Sequence, residues 1–203
     1  MDVLGPLFLA FLAYIIGTAS PGPATLTIMM TAAGKGRAAA LRLAVGVICG
    51  SIVWGVVATI GLSVAMSEIA TFLYALKFVG GAYLLWLAWQ SISAAMHADA
   101  PTGTAVRGSY FLKGFLLHLT NPKAVLVWGS ILTIGITPQS PTWVPPVILL
   151  VCSFLGAGVF VLYAVLFSTK KAMAGYIKAR RPIQAACGAL FGAAGLKLVM
   201  SRS

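Results

Sequence analysis

Long apolar segments constrain the fold of this 203-residue chain more than any other feature. A helix that crosses a lipid bilayer needs about 20 predominantly apolar residues. Hydrophobic residues make up 60% of the chain and charged residues only 8%, whereas about a quarter of a soluble domain is charged. Six segments approach or exceed the required length: 6–32, 39–62, 72–92, 111–136, 145–168 and 183–200. The sequence therefore predicts an all-α membrane protein with six transmembrane helices, forming a single domain over residues 1–203.

Basic residues alternate between the loops that connect these segments. The first, third and fifth loops contain Lys or Arg, whereas the loops near 63–71 and 137–144 contain neither. Because cytoplasmic loops carry an excess of basic residues, both termini are predicted to lie outside the cytoplasm. The net charge of +11 then serves orientation in the lipid bilayer rather than nucleic-acid binding. The fifth loop is predicted to be the most basic, with Lys170, Lys171, Lys178, Arg180 and Arg181.

The sequence Ser-Pro-Gly-Pro at residues 20–23 interrupts the first apolar segment. Pro21 and Pro23 lack a backbone N–H, so within a helix they would leave the carbonyl groups of Gly17 and Ala19 without donors. In lipid each unsatisfied backbone group costs several kcal/mol, and a break survives only inside protein or beside water. The motif therefore predicts a functional interruption of the first span, with a simple proline kink as the alternative. Four hydroxyl side chains can supply hydrogen bonds there: Thr18, Ser20, Thr25 and Thr27.

The fourth segment contains a second break, at Asn121 and Pro122. Asn121 precedes Pro122 as Ser20 precedes Pro21, and Ser and Asn are good N-caps before a proline at the first helical position. Each motif is predicted to begin a half-helix whose N-terminal end suits a carboxylate, while freed carbonyl groups suit an ammonium group. One break would thus offer partners for both ends of a zwitterionic amino acid. The predicted substrate-binding residues are Ser20, Pro21, Gly22, Pro23, Thr25, Asn121 and Pro122.

The two breaks occupy corresponding places in the two halves of the chain. Ser20 and Asn121 are 101 positions apart, which is half the sequence. Residues 1–100 and 101–203 are therefore predicted to be half-repeats of three spans each, and an odd number of spans inverts the second copy. Broken helices at corresponding places of inverted repeats indicate a transporter site at the repeat interface.

Two ionisable residues lie beside the second break. His118 is the candidate proton carrier, because no Asp or Glu lies in any predicted span and only His titrates near neutral pH. The alternative is a neutral histidine packed between helices. Lys123 is a cation near the site, functional by default inside a membrane, although its ammonium group could also extend to the bilayer surface. No metal-ligand spacing, cofactor motif or catalytic triad is present in the sequence, so we expect no metal, no cofactor and no enzyme.

Four motifs are spread over nearly the whole chain: SPGP at 20–23, AAGKGRAAALRLAVGVICG at 32–50, LKFVGGAYLLWLAWQ at 76–90 and FLKGFLLHLTNPKA at 111–124. In these motifs and their order the chain resembles the lysine-exporter and homoserine/threonine-exporter family (LysE/RhtB type). The resemblance implies a multi-pass protein of the cell inner membrane that exports amino acids or close relatives, uses the proton gradient and self-associates into a homo-oligomer. The alternatives are an uncoupled channel or facilitator for small metabolites and, less favoured, a membrane-embedded enzyme.

The chain departs from the pattern of that family at three polar positions. Ala24 stands where the family often has Asn, and Ser51 stands where it often has Asp. His118 stands where Asn is more common. Because these positions belong to the polar lining, the resemblance implies an amino-acid-like substrate without naming it.

Overall fold

The structure is a computed structural model, and it describes residues 3–66, 82, 85–86, 88–93, 95–96, 108–137 and 139–200. All regular secondary structure in these ranges is helical. The third predicted segment, 72–92, lies mostly outside the described residues, as do the loop positions Glu68 and His97. Helices with described bounds are α1 (Leu4–Ala19), α2 (Pro23–Lys35), α3 (Arg37–Met66), α4 (Tyr110–Leu119), α5 (Pro122–Gly135), α6 (Val144–Leu166) and α7 (Lys170–Met200).

Two of these helices are long and apolar enough to cross a membrane. They are α3, over Arg37–Gly61, and α6. The pair α1 and α2 passes the same test as one broken span, with a bend of 50° between its two parts. The described residues thus contain two or three candidate spans, and the arrangement of six spans in two inverted repeats stays a prediction.

The basic stretch between the fifth and sixth segments is helical, so the prediction of a fifth loop there was wrong. α7 begins at Lys170 and continues through Pro182 to Met200. The hydroxyl of Thr169 accepts a hydrogen bond from the N–H of Ala172 at 3.3 Å, which caps the start of the helix. Lys, Arg and Ala are all good helix formers, so a basic stretch rich in them continues a helix as readily as it forms a loop.

Two buried hydrophobic clusters pack α1, α2, α3 and α5 against α6. The first joins α1 and α5 to the N-terminal half of α6 and contains Tyr14, Trp128 and Ile148. The second joins α2 and α3 to the C-terminal half of α6 and contains Leu43 and Phe160. Because α6 contacts both α1 and α2, it holds the two sides of the first break in a fixed relation. Large apolar side chains remain exposed on the outer faces of α1, α3 and α6, as expected for surfaces that contact lipid.

Glycines bring α3 and α4 into backbone contact. A Cβ atom placed at Gly46 or at Gly114 would overlap a backbone carbonyl oxygen of the opposite helix. A Cβ atom at Gly50 would lie 3.0 Å from the Cβ atom of His118. Small residues at such crossings allow helices in membranes to approach closely. This crossing therefore sets the position of His118 at the end of α4, next to the second break.

Candidate functional site

The first break consists of Ser20, Pro21 and Gly22, between α1 and α2. Ser20 is the C-cap of α1, and α2 begins at Pro23 with Gly22 as its N-cap. The prediction that Ser20 caps a half-helix beginning at Pro21 was therefore wrong. The residue before a proline is disfavoured in helical conformation, and Gly22 is extended (φ −160°, ψ −179°), so the helix starts only at Pro23.

The carbonyl groups freed by the two prolines accept hydrogen bonds from side chains. The Ser20 hydroxyl donates to the carbonyl oxygen of Gly17 at 3.0 Å. The Tyr163 hydroxyl, on α6, donates to the carbonyl oxygen of Ala19 at 2.6 Å. The interruption is therefore stabilised from within the protein, which is the condition for irregular backbone at membrane depth.

The second break follows the sequence-based prediction closely. Asn121 is the N-cap of α5, its side-chain oxygen accepts from the N–H of Lys123 at 3.1 Å, and a proline occupies the first helical position. The carbonyl oxygen of His118 accepts from the N–H of Asn121 at 3.2 Å. The indole N–H of Trp54, on α3, donates to the carbonyl oxygen of Leu119 at 3.2 Å. Side chains and local turns thus satisfy this break as well.

The two breaks contact each other through Lys123. Its Nζ atom donates to the carbonyl oxygen of Ser20 at 2.8 Å and to the hydroxyl oxygen of Ser20 at 2.5 Å. The absence of a side chain at Gly22 eases this approach, because a Cβ atom there would lie 3.1 Å from Nζ and would push it away by a few tenths of an ångström. The ammonium group is therefore directed to the opposite break, across 103 positions of sequence.

A cavity of about 30 Å³ lies between the two breaks. A buried water needs roughly 10–15 Å³ of such volume, so the cavity has room for a few water molecules and is too small for an amino acid. Ser20, Pro21, Pro23 and Pro122 are absent from its lining, and Ser20 lies behind the ammonium group of Lys123. The predicted site residues that do line the cavity are Gly22, Thr25, His118, Asn121 and Lys123.

His118 is buried at the wall of this cavity, with 6% of its surface exposed. Its ring meets the ring of Phe160 edge-on, with a centroid distance of 5.7 Å. Its Nδ1 atom has no hydrogen-bond partner in the part of the chain that the structure describes. Because a buried polar atom without a partner is costly, this nitrogen is suited to bind a proton or a polar group of a substrate.

Sequence reasoning missed a polar cluster on the cavity wall. The indole N–H of Trp128 donates to the hydroxyl oxygen of Ser51 at 3.1 Å, and the hydroxyl of Tyr14 lies 3.4 Å from the same atom. All three residues line the cavity. A Tyr or Trp inside an apolar segment carries a polar group that needs a partner when buried, and this signal could have identified Tyr14 and Trp128.

Comparison with known proteins places the chain in a family. A family model described as LysE type translocator matches residues 15–202. The threonine efflux protein of Escherichia coli (strain K12) is 31% identical over 198 residues, which cover 94% of this chain and 96% of that protein. The threonine efflux protein of Salmonella typhi is 30% identical over 201 residues, which cover 96% of this chain and 98% of that protein.

Another relative is named for a different substrate. The homoserine/homoserine lactone efflux protein of Salmonella typhimurium (strain LT2) is 30% identical over 189 residues, which cover 90% of each protein. No solved structure matches the chain significantly. Because the family model and these relatives span nearly the whole sequence, the chain belongs to the LysE type translocators, a family of multi-pass membrane proteins, as its motifs predicted.

Proposed function

We propose that this chain is a secondary transporter of the cell inner membrane that exports an amino acid or a closely related metabolite. Membership of the family and the efflux activity that names its relatives support the class of function. One structural observation indicates where the substrate would bind. The contact between Lys123 and Ser20 joins two helix breaks from opposite halves of the chain at a single cavity.

Transport through this site requires a change in the helix arrangement. The cavity of about 30 Å³ does not admit an amino acid, so the helices around it must separate for substrate to enter and leave. In the proposed mechanism two inverted three-span repeats rock against each other around the breaks, and they expose the site to one side of the membrane at a time. The N- and C-termini lie on the outer side, as the distribution of basic residues predicts.

His118 is the proposed proton carrier for this export. Three observations support the assignment: the side chain is buried at the cavity, its Nδ1 atom has no partner among the described residues, and none of the described lining residues is acidic. An uncoupled facilitator is the competing function. The two differ in whether a proton gradient drives efflux against a concentration gradient.

Replacing Pro21, Gly22 and Pro23 together by Ala tests the site. Alanine restores the missing N–H groups and favours helix, so α1 and α2 should join into one continuous helix while the protein still inserts in the membrane. The cells are loaded with each of the 20 amino acids as dipeptides, and the free amino acids that appear outside are measured. Cells with the wild-type chain should release more of the substrate than cells without it, and we expect the variant to lose this additional efflux.

The matched control is the replacement of Pro145 and Pro146 by Ala. These prolines lie in the first turn of α6, where they interrupt no span, and neither lines the cavity. This variant should export like the wild-type chain. Wild-type efflux from a well-inserted triple variant would show that the first break is only a kink and that the site lies elsewhere.

A further inference from the structure

We infer that Lys123 and Ser20 are the two ends of a binding site for a zwitterion, and that they exchange their direct contact for contacts with the substrate. In this arrangement the ammonium group of Lys123 donates to the carboxylate of an amino acid. The carbonyl and hydroxyl oxygens of Ser20 accept from the substrate's ammonium group. The inference rests on the proposed function and assigns a chemical partner to each end of the substrate.

The charge of Lys123 is the reason to place a carboxylate beside it. In the part of the chain that the structure describes, its ammonium group donates to two uncharged oxygens of Ser20, and no acidic residue lines the cavity. A cation held away from bulk water gains most from an anionic partner, and hydrogen bonds between charged groups are about twice as strong as neutral ones.

The start of α2 adds donors of the same kind. Ala24 and Thr25 lie in its first turn and line the cavity. The first N–H groups of a helix have no partner within the helix, and they favour a negative charge. A carboxylate at this end of the cavity would therefore meet both the Lys123 ammonium group and a helix N-terminus.

The geometry at Ser20 already fits an ammonium group. Ser20 is 2% exposed, and its hydroxyl proton is directed to the carbonyl oxygen of Gly17, which leaves the hydroxyl oxygen to accept. That oxygen and the Ser20 carbonyl oxygen both contact one nitrogen, Nζ of Lys123. The α-ammonium group of an amino acid is chemically the same group. Two oxygens that hold one ammonium group can therefore hold the other.

Once the helices have separated to admit the substrate, the exchange at Ser20 needs only the side chain of Lys123 to move. Its flexible stem lies against Gly22, where a Cβ atom would be 3.2 Å from Cδ and 3.1 Å from Nζ. A lysine carries a compact point charge on a rotatable four-carbon stem, so Nζ can then leave Ser20 and follow a carboxylate without a further change in the backbone. The same contact predicts that a Cβ atom at position 22 would shift the ammonium group by a few tenths of an ångström.

The test compares substrates that differ only in the carboxylate. The full chain is purified into proteoliposomes, and counterflow is measured with each of the 20 L-amino acids. The best amino acid is then compared with its amino alcohol, in which CH₂OH replaces the carboxylate. For the wild-type chain we expect the amino alcohol to compete about 10- to 100-fold more weakly, the range for one lost charge-assisted hydrogen bond.

Lys123→Gln should abolish this discrimination. The apparent affinity for the amino acid should fall by the same factor, while that for the amino alcohol changes little. Lys113→Gln is the matched control, because Lys113 lies on α4 and is absent from the cavity lining. It should keep the wild-type ratio. If Lys123 had a purely structural role, Lys123→Gln would lower the apparent affinities for both compounds equally and leave their ratio unchanged.

Gly22→Ala provides a second variant that keeps the lysine. It should lower the discrimination because the added Cβ atom displaces Nζ. If the wild-type chain transports none of the 20 amino acids, the proposed function itself is wrong. If it transports one and both Lys123→Gln and Gly22→Ala keep the wild-type ratio, the assignment of Lys123 to the carboxylate alone is overturned.

Discussion

The replacement Gly114→Ala tests whether backbone contact between α3 and α4 positions the site. The new Cβ atom would overlap the carbonyl oxygen of Leu43 and lie 3.0 Å from the carbonyl carbon of Leu43 and 3.2 Å from the backbone nitrogen of Val47. None of these atoms can rotate away, because all three belong to the backbone of α3. The two helices must therefore move apart, and His118, one turn after Gly114, moves with α4.

The size of the effect follows from this geometry. Overpacking of a filled interior costs about 1–3 kcal/mol, and a clash with backbone belongs at the upper end of that range. The same substitution at Gly158 is the control, since a Cβ atom there has nothing within 4 Å. Ala is more stable than Gly inside a helix by about 0.5–1 kcal/mol, so Gly158→Ala should stabilise the protein.

Thermal unfolding of the purified variants in one detergent measures both changes. For a domain of this size 1 kcal/mol corresponds to roughly 2–4 °C in the midpoint temperature. We expect Gly114→Ala to lower the midpoint and Gly158→Ala to raise it slightly. The reasoning is refuted if Gly114→Ala unfolds at or above the temperature of the wild-type protein, because α3 and α4 would then not be in backbone contact.

Three further outcomes are expected. Tyr163→Phe removes the donor to the last carbonyl group of α1, so the free energy of unfolding should fall by about 1–3 kcal/mol; an unchanged midpoint temperature would mean that another donor satisfies this group. His118→Asn keeps a polar side chain but cannot carry a proton, so efflux in proteoliposomes should lose its dependence on an imposed proton gradient while substrate exchange survives. Gradient-driven efflux at the wild-type rate would show that His118 is structural. A cysteine introduced near Lys35 should react with a membrane-impermeant reagent only from the cytoplasmic side and one near Gln139 only from the outside, whereas cytoplasmic labelling near Gln139 would contradict the proposed topology.

The sequence alone determined the features that depend on local chemistry. The length and apolarity of the segments predict membrane helices, because the transfer of each segment into lipid depends on its own composition. The positions of the two breaks follow from missing N–H groups at the prolines. The N-cap at Asn121 was predicted correctly for the same reason, since the cap and the proline are adjacent in the chain.

The sequence-based predictions failed where two local preferences competed. At the first break both Pro21 and Pro23 could begin a helix, and the restriction that Pro23 places on Gly22 decided between them. In the basic stretch after Lys170, charge density suggested a loop while helix propensity favoured a helix. In each case the local residues are compatible with both conformations, and the preference on which the prediction relied was the weaker one.

Only the tertiary structure decided which groups satisfy the breaks and so form the site. Two of the donors to the freed carbonyl groups come from Tyr163 and Trp54, which are 144 and 65 positions away from their acceptors, whereas the carbonyl group of Gly17 accepts from the nearby Ser20 hydroxyl. Lys123 reaches Ser20 across 103 positions. A proline specifies that a carbonyl group needs a partner but not which side chain provides it. The partner depends on which helices pack together, and backbone contact at Gly46 and Gly114 helps to set that packing for α3 and α4.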